Sequence, residues 1–381
     1  MTLTANWSYP TTVKFGPGRI RELGDACLSL GVKNPLLVTD KVLAQLDITQ
    51  KALAILKSSG FESSVFFDVD PNPNETNLEA ALVVYNDGNH DAVIAFGGGS
   101  AVDLGKMVAF MSGQSRQIWD FEDIGDWWTR ANSEAISPII AVPTTAGTGS
   151  EVGRASVITN SKTNEKKIIF HPKVLPSVVI CDPELTVGMP SFVTAGTGLD
   201  AFAHCVEAFS SPHYHPMSQG IAVEGMKLVI ENLPKAYNNP KDLEARSNMM
   251  SAAMMGATAF QKGLGAIHAL SHPIGALYNT HHGTTNAVCM PAVLDMNAPE
   301  IKNRFDQVSS YIGVQNGFEG FCNFVREFNL SFKIPTKLSG LGVVNVDVEK
   351  LTKAALKDPS CGGNPVPLNH ENVAELINQL L

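Results

Sequence analysis

The first half of the chain alternates short apolar runs with longer amphipathic stretches. Four runs have the length of strands and end in Asp, Gly, Pro or Thr residues: PLLVTD (35–40), SSVFFDV (63–69), DAVIAFGGG (91–99) and PIIAVPTTAG (138–147). Helical patterns that close on a glycine lie between them, at 47–60 and 75–88. Because continuous apolar strands that alternate with helices are typical of a parallel sheet covered on both faces, we predict an α/β domain over residues 1–185.

The pattern changes after about residue 185. A connector punctuated by proline and glycine, DPELTVGMP (182–190), is followed by stretches whose apolar positions recur with a helical period. The clearest of them are SFVTAGTGLDAFAHCVEAF, SQGIAVEGMKLVIENL, EARSNMMSAAMMGATAF and HENVAELINQLL. We therefore predict an all-α domain over residues 186–381.

Composition narrows the class of protein. A 44% share of hydrophobic residues with 17% charged residues is ordinary for a well-cored protein, and a net charge of −9 lacks the footprint of a nucleic-acid binder. No apolar run approaches the ~20 residues that span a bilayer, and MTLTANWSYP does not have the pattern of a signal peptide. The six cysteines form no C-x-x-C pair, which favours free thiols in a reducing compartment. We expect a cytoplasmic enzyme with a small-molecule substrate, and no nucleic-acid or membrane partner.

An uncharged segment contains an unusual group of histidines. GLGAIHALSHPIGALYNTHHG (263–283) places His268, His272, His281 and His282 among small and apolar residues, with no Asp, Glu, Lys or Arg. Buried imidazoles without partners are costly. The residues alone leave two interpretations open, a group of structural core histidines or a metal site.

A second motif adds weight to the metal interpretation. Asp200 and His204 stand at i and i+4 in GLDAFAHCVEAF, on one helix face, although such a pair by itself is more often a surface or capping pair. Together with His268 and His282 they make one carboxylate and three imidazoles, a set that suits Fe²⁺ or Zn²⁺ and leaves a coordination position open for a substrate oxygen. The summed charge of +1 would polarise an alcohol. His272 is either a further ligand or a nearby acid–base group.

A nucleotide site is predicted where two strands end. DAVIAFGGGSAVDLGK places three glycines and Ser100 between a strand and a helix, where the backbone can approach a pyrophosphate at the helix N-terminus. The motif is neither G-x-G-x-x-G nor a P-loop, so a purely structural turn is the alternative. PTTAGTGSE (143–151) follows another strand and offers threonine hydroxyls at the same sheet edge. Asp40 ends the first clear strand, where a carboxylate holds ribose hydroxyls and favours NAD over NADP, or caps the following helix.

Taken together, GGGSAVDLGK, PTTAGTGSEV, GLDAFAHCVEAF and HALSHPIGALYNTHHG resemble the iron-containing (group III) alcohol dehydrogenase family. The resemblance runs from FGPGRIRELG (15–24) to DPSCGGNP (358–365). It implies a dehydroquinate synthase-like fold, with a parallel Rossmann-like α/β N-terminal domain that binds the dinucleotide and an all-α C-terminal domain that binds the metal. It also implies a metal-dependent, NAD-linked dehydrogenase that interconverts a primary alcohol and its aldehyde by hydride transfer, assembled as a homodimer or larger homo-oligomer.

The resemblance assigns roles residue by residue. His272 matches a non-ligand histidine that relays the alcohol proton, and His281 falls outside the ligand set. The metal, Fe²⁺ or alternatively Zn²⁺, matches the ligands Asp200, His204, His268 and His282. The cofactor contacts that carry over are Asp40, Gly97, Gly98, Gly99, Ser100, Thr144, Thr145, Thr148 and Lys167.

Three positions depart from the pattern of relatives. Gly153 and Ala155 follow the PTTAGT loop where some relatives that act on short diols have larger or polar side chains, so we expect a roomier, less polar substrate pocket. We expect strand alternation over 153–157 to turn these two side chains to the same side. Val366 stands where many relatives have arginine.

Three alternatives compete with the dehydrogenase. A lyase resembling dehydroquinate synthase, which uses NAD and zinc, needs clustered Lys and Arg for its anionic substrate, whereas residues 174–226 contain neither. Maleylacetate reductase works without a metal, which the intact Asp/His set disfavours. A non-catalytic nucleotide-binding relative would not need the whole set of metal and nucleotide residues.

Overall fold

The computed structural model describes residues 11–381. The N-terminal stretch MTLTANWSYP, in which no signal peptide was predicted, lies outside the described residues. Two compact units divide the rest. The first comprises residues 11–145 and Gly149–Gly188, and the second comprises Ala146–Thr148 and Met189–Leu381.

The first unit is built on a parallel sheet. Within the described residues the sheet has six strands in the order β1-β8-β5-β4-β2-β3, and every neighbouring pair is parallel. The strands are β1 (Thr12–Phe15), β2 (Pro35–Val38), β3 (Ser64–Phe66), β4 (Ala92–Gly97), β5 (Ile139–Pro143) and β8 (Val178–Cys181). The four apolar runs identified in the sequence are β2, β3, β4 and β5.

Four helices cover this sheet on both faces: α1 (Leu23–Ser29), α2 (Asp47–Ser58), α3 (Glu75–Asp87) and α4 (Gly99–Met111). Successive strand residues point to opposite faces. Leu36 and Val93 therefore join a core with residues of α3 and α4, while their neighbours Leu37 and Ile94 join a second core with residues of α1 and α2. Burial on both faces explains why these strands read as continuous apolar runs.

An antiparallel hairpin separates β5 from β8 in the sequence. Its strands are β6 (Ala155–Asn160) and β7 (Glu165–Phe170), with Ala155 opposite Phe170. The strand itself begins two residues later than the alternation expected over 153–157, because Gly153 is the C-cap of a short 3₁₀ turn, although its backbone is extended.

The second unit is helical. Its helices are α5 (Ser191–Ser210), α6 (Pro216–Asn238), α7 (Leu243–Ala259), α8 (Ala266–Tyr278), α9 (His282–Val308), α10 (Gly317–Ser331), α11 (Val348–Lys357) and α12 (His370–Leu380). Helix α5 packs against α6, α7 and α9, and most of its residues from Thr194 to Ser210 are buried. The predicted architecture, a parallel α/β domain followed by an all-α domain, is confirmed.

The crossing of α5 and α9 is very close. A Cβ on Gly283 would lie 2.0 Å from the carbonyl oxygen of Gly196 and 2.9 Å from the Cβ of Asp200. Only glycine allows the first turn of α9 to approach α5 so closely. Within residues 11–381, no helix combines the length and the apolar character that a bilayer crossing requires.

Candidate metal centre and nucleotide site

Three helices of the second unit bring the predicted ligands together. Helix α5 carries Asp200 and His204 one turn apart, α8 carries His268, and α9 begins at His282. The Nε2 atoms of His204, His268 and His282 lie 3.7, 3.8 and 3.4 Å from Asp200 Oδ1. Candidate ligand atoms of Asp200, His204 and His268 all lie within 4.8 Å of one another, and His282 joins them through its approach to Asp200.

These spacings fit one metal ion. Ligand atoms at ~2.0–2.3 Å from a shared ion lie roughly 3 to 4 Å from each other, which is the range observed around Asp200 Oδ1. One oxygen and three imidazole nitrogens form a donor set that Fe²⁺ and Zn²⁺ both accept. The residues present therefore fit the metal that the sequence predicted.

The four side chains of this cluster differ in how far they are buried. The side chains of Asp200, His204 and His268 are 3%, 6% and 1% exposed, whereas that of His282 is 26% exposed. His282 is therefore the most exposed of the four predicted ligands.

The titration of the cluster is dominated by burial and mutual charge. Burial alone would raise the pKa of Asp200, but His204, His282 and His268 hold it well below its usual range. Burial lowers the pKa of His204 to about 4. Near neutral pH, Asp200 is therefore ionised and His204 neutral, the forms that bind a divalent ion.

Glu207 is a buried partner of His268 that the sequence interpretation missed. Its Oε2 accepts a hydrogen bond from His268 Nδ1 at 2.6 Å, and its Oε1 accepts from the backbone N–H of Ile267 at 2.6 Å. Burial lowers the pKa of His268, but Glu207 and Asp200 outweigh that effect and raise it to about 9. The carboxylate holds the proton on Nδ1, which leaves Nε2 as the nitrogen that faces the cluster and binds a metal ion once its own proton is displaced.

His272 lies next to the cluster and has a carboxylate partner of its own. Its ring stacks on that of His282, with centroids 5.3 Å apart, and its Nδ1 lies 2.8 Å from Asp358 Oδ2. Burial raises the pKa of Asp358, but His272 and the bonds from Ser360 reverse this and lower it. An ionised carboxylate on Nδ1 leaves Nε2 of His272 as the nitrogen that can accept a proton.

His281 has a different role. It is the N-cap of α9, and its Nδ1 accepts a hydrogen bond from the backbone N–H of Thr284 and contacts Thr284 Oγ1 at 3.1 Å. This capping geometry is in keeping with the expectation that His281 is not a ligand.

The glycine-rich motif of the first unit forms the predicted strand–turn–helix. Gly97 ends β4 with φ 151°, and α4 begins at Gly99 without a side-chain cap. The first backbone N–H groups of α4 and the positive end of its helix dipole are therefore suited to bind an anion. The Ser100 hydroxyl donates to the carbonyl of Pro71 at 2.6 Å, so part of its role is structural.

The threonine-rich loop is divided between the two units. Thr144 donates its backbone N–H to Gly97 at 2.9 Å, and a Cβ on Gly98 would lie 3.3 Å from Thr145 Cγ2, so the structure brings these two threonines to the glycine turn. Thr148 belongs to the helical unit, where the neighbouring Gly147 lies against Thr197 of α5.

The remaining two predicted cofactor residues have protein partners. Oδ1 of Asp40 accepts hydrogen bonds from the backbone N–H groups of Val42 and Leu43, both at 2.9 Å, so Asp40 does cap the turn that follows β2. Lys167 on β7 lies 2.8 Å from Glu165 Oε2 and 3.5 Å from Glu122 Oε2. Oδ2 of Asp40 does not take part in the capping bonds and can still contact a ligand.

Comparison with known proteins identifies the family. Residues 10–183 match the family described as iron-containing alcohol dehydrogenase, and residues 194–381 match the C-terminal domain of the Fe-containing alcohol dehydrogenase family. The chain belongs to the iron-containing alcohol dehydrogenase family.

Three relatives illustrate the match. The chain is 36% identical to 4-hydroxybutyrate dehydrogenase of Cupriavidus necator, over 97% of this chain and 98% of that protein. It superimposes on a 1,3-propanediol oxidoreductase with a TM-score of 0.94 at 34% identity, covering 99% of this chain and 100% of the other. It also superimposes on the NAD⁺ complex of sulfoacetaldehyde reductase from Bifidobacterium kashiwanohense with a TM-score of 0.90 at 28% identity, covering 100% and 99%.

The protein is an NAD(P)-dependent alcohol dehydrogenase of the iron-containing family, which interconverts an alcohol and its aldehyde. The fold, the family and the convergence of the Asp/His set agree on this reaction class. Neither the lyase resembling dehydroquinate synthase nor a non-catalytic relative is favoured by the comparisons.

Proposed function

We propose that Asp200, His204, His268 and His282 hold one divalent ion, Fe²⁺ or alternatively Zn²⁺, at which a primary alcohol is oxidised or its aldehyde reduced. The observation that carries this proposal is the approach of three imidazole nitrogens to one carboxylate oxygen at 3.4 to 3.8 Å. In this proposal residues 186–381 bind the metal and residues 1–185 bind the dinucleotide.

The metal ion, when bound, supplies a Lewis acid that polarises the oxygen of the alcohol or aldehyde. The chain's own residues orient the ligands and handle the proton. Glu207 fixes the tautomer and ring orientation of His268 through its 2.6 Å bond to Nδ1. His272, oriented by Asp358 at 2.8 Å, takes the alcohol proton on Nε2 during oxidation and returns it during reduction.

NAD, when bound, accepts or donates the hydride. We assign its pyrophosphate to the glycine turn and the uncapped N-terminus of α4, where Gly97, Gly98 and Gly99 leave room for it. Ser100, Thr144, Thr145, Thr148 and Lys167 are the further proposed contacts. Asp40 at the end of β2 would hold the ribose hydroxyls and disfavour NADP. The NAD⁺ complex of the similar sulfoacetaldehyde reductase supports this choice.

The substrate is a primary alcohol or its aldehyde. Two similar proteins are named for 4-hydroxybutyrate and 1,3-propanediol, molecules with a terminal hydroxyl group on a short chain. Gly153 and Ala155 present little side chain after the threonine loop, which supports a pocket that also admits longer, less polar alcohols.

We also infer a homodimer or larger homo-oligomer that works in the cytoplasm. The cellular compartment is supported by the six cysteines, all of which are free thiols, and five of which are buried.

A substrate screen tests the proposal. Purified enzyme reconstituted separately with Fe²⁺ and with Zn²⁺ would be assayed with NAD and NADP on 4-hydroxybutyrate, 1,3-propanediol, methanol and longer primary alcohols, and on their aldehydes. We expect metal-dependent turnover with NAD for at least one primary alcohol. Turnover that persists without metal, or that requires NADP, would overturn the corresponding part of the proposal.

A further inference from the structure

One buried amide contacts ligands from all three helices of the metal centre. Asn286 is fully buried, one turn after His282 on α9. Its Nδ2 lies 2.8 Å from Asp200 Oδ1, 3.2 Å from His268 Nε2 and 3.2 Å from His282 Nε2. The sequence interpretation did not single out this residue.

The chemistry of its neighbours fixes the orientation of the amide. An ionised Asp200 can only accept a hydrogen bond, so the Asn286 atom beside it must be the NH₂ group and not the carbonyl oxygen. The carbonyl oxygen of Asn286 is buried and has no hydrogen-bond partner among the described residues.

An amide whose carbonyl is left without a partner carries an energetic cost. A buried acceptor without a partner is unfavourable, so this amide does not stabilise the site through its carbonyl oxygen. The bond that offsets the cost is the short one from Nδ2 to Asp200. It fixes the rotation of the carboxylate and ties α9 to α5 at the point where the ligands meet.

We propose that Asn286 is a positioning residue of the metal centre, which sets the rotation of the Asp200 carboxylate and so the geometry and affinity of metal binding. This inference rests on the proposed function. The contact that carries the inference is the 2.8 Å hydrogen bond from Asn286 Nδ2 to Asp200 Oδ1.

The direct test removes the donor and keeps the branched shape of the side chain. Asn286→Leu would be purified with metal bound, and the rate of Zn²⁺ loss to a chelator and the affinity for Zn²⁺ would be measured. We expect affinity to fall by about 10- to 100-fold. The visible spectrum of the Co²⁺-substituted variant, which reports coordination geometry, should differ from that of the wild type.

Another buried asparagine of α9 provides a matched control. Asn297 lies about three turns further along the helix and exchanges hydrogen bonds of 3.0 and 2.9 Å with Asn364. Asn297→Leu should lower thermal stability yet keep wild-type Zn²⁺ affinity and the wild-type Co²⁺ spectrum. Equal loss of metal in both variants would contradict the proposal, because it would indicate a general structural effect.

The metal content of two variants distinguishes the role of Asn286 from the choice of ligands itself. If His204→Ala keeps its metal, the proposed ligand set is wrong. If His204→Ala loses its metal while Asn286→Leu keeps wild-type affinity and Co²⁺ spectrum, only the role of Asn286 is overturned. Should Asn286→Leu not fold, Asn286→Ala, which also removes the donor, is judged by the same criteria.

Discussion

At the scale of single residues, His272 contacts the ligand His282 through its ring and places its Nδ1 on Asp358, at 2.8 Å. In the proposed mechanism, Nε2 of His272 takes the proton of the substrate hydroxyl group. We expect His272→Ala to keep its metal and to lose turnover by a factor on the order of 10² to 10⁴. Metal content and steady-state kinetics of the purified variant decide this.

Asp358→Asn is the companion variant, because it removes the carboxylate and keeps the shape of the side chain. We expect it to lose less turnover than His272→Ala and to bind metal normally. Loss of metal from a folded His272→Ala would mean that His272 is a ligand, and would end the relay assignment.

The choice between NAD and NADP is also expected to depend on a single residue, Asp40. Asp40→Gly should raise the use of NADP relative to NAD, because it removes a carboxylate that repels the 2′-phosphate. Asp40 also caps the turn after β2 through Oδ1, so Asp40→Gly should lose some stability as well. Asp40→Asn separates the two effects, since an amide oxygen can still cap but carries no charge. The ratio of kcat/KM for NAD and NADP is the measurement, and a wild-type preference for NADP would refute the assignment.

Site residues could be predicted from the sequence where several of them share one motif. A site residue that stands apart from the others in the sequence was harder to predict. Asp200 and His204 share a helix face, and the histidines cluster in an uncharged segment, so their convergence could be anticipated. Glu207 carried a signal that was not used, because it lies three residues after His204 in a helix with only one other acidic residue, Asp200. Asp358 gave no such signal, since 86 residues separate it from His272.

At the scale of secondary-structure elements, the centre depends on how closely α9 approaches α5. Gly283→Ala would place a methyl group 2.0 Å from the carbonyl oxygen of Gly196, so one helix must move. We expect a loss of about 1–3 kcal/mol in the free energy of unfolding, together with weaker metal binding, because α9 carries His282. Chemical denaturation and metal titration measure the two effects.

The control for this change is Gly220→Ala on α6, where the added methyl group meets nothing within 4 Å. That variant should be as stable as the wild type or up to ~1 kcal/mol more stable, with normal metal affinity. A Gly283→Ala protein that bound metal as tightly as the wild type would show that the helix crossing does not control the site.

Strands could be predicted most readily from the sequence where all of their residues are buried. Strands β2, β4 and β5 are buried throughout and stood out as apolar runs. Strand β3 lies at the edge of the sheet with Ser64 exposed, and stood out by the apolar residues at 65–67. Strand β1 did not stand out, because two polar residues interrupt its apolar pattern, with Thr12 exposed and Lys14 half-buried. Strand β8 is a run of only four residues beside the connector. The β6–β7 hairpin is half-buried and includes charged residues of β7, so its alternation is weak.

At the scale of the whole molecule, metal binding should contribute to stability. A ligand that binds only the folded state stabilises it by about 4 kcal/mol when its concentration is 1,000 times Kd. Removal of the metal with a chelator should therefore lower Tm by on the order of 10 °C. Differential scanning calorimetry measures this, and an unchanged Tm would contradict it. His204→Ala serves as the control, because its Tm should not respond to the chelator.

The central claim is that four residues from three helices hold one metal ion. Anomalous diffraction from crystals of the metal-loaded enzyme, collected at the iron and zinc edges, tests it most directly. We predict a single peak within ~2.0–2.3 Å of a carboxylate oxygen of Asp200 and of the Nε2 atoms of His204, His268 and His282. A peak held by other residues, or side chains of these four that point to different places in the loaded enzyme, would contradict the account.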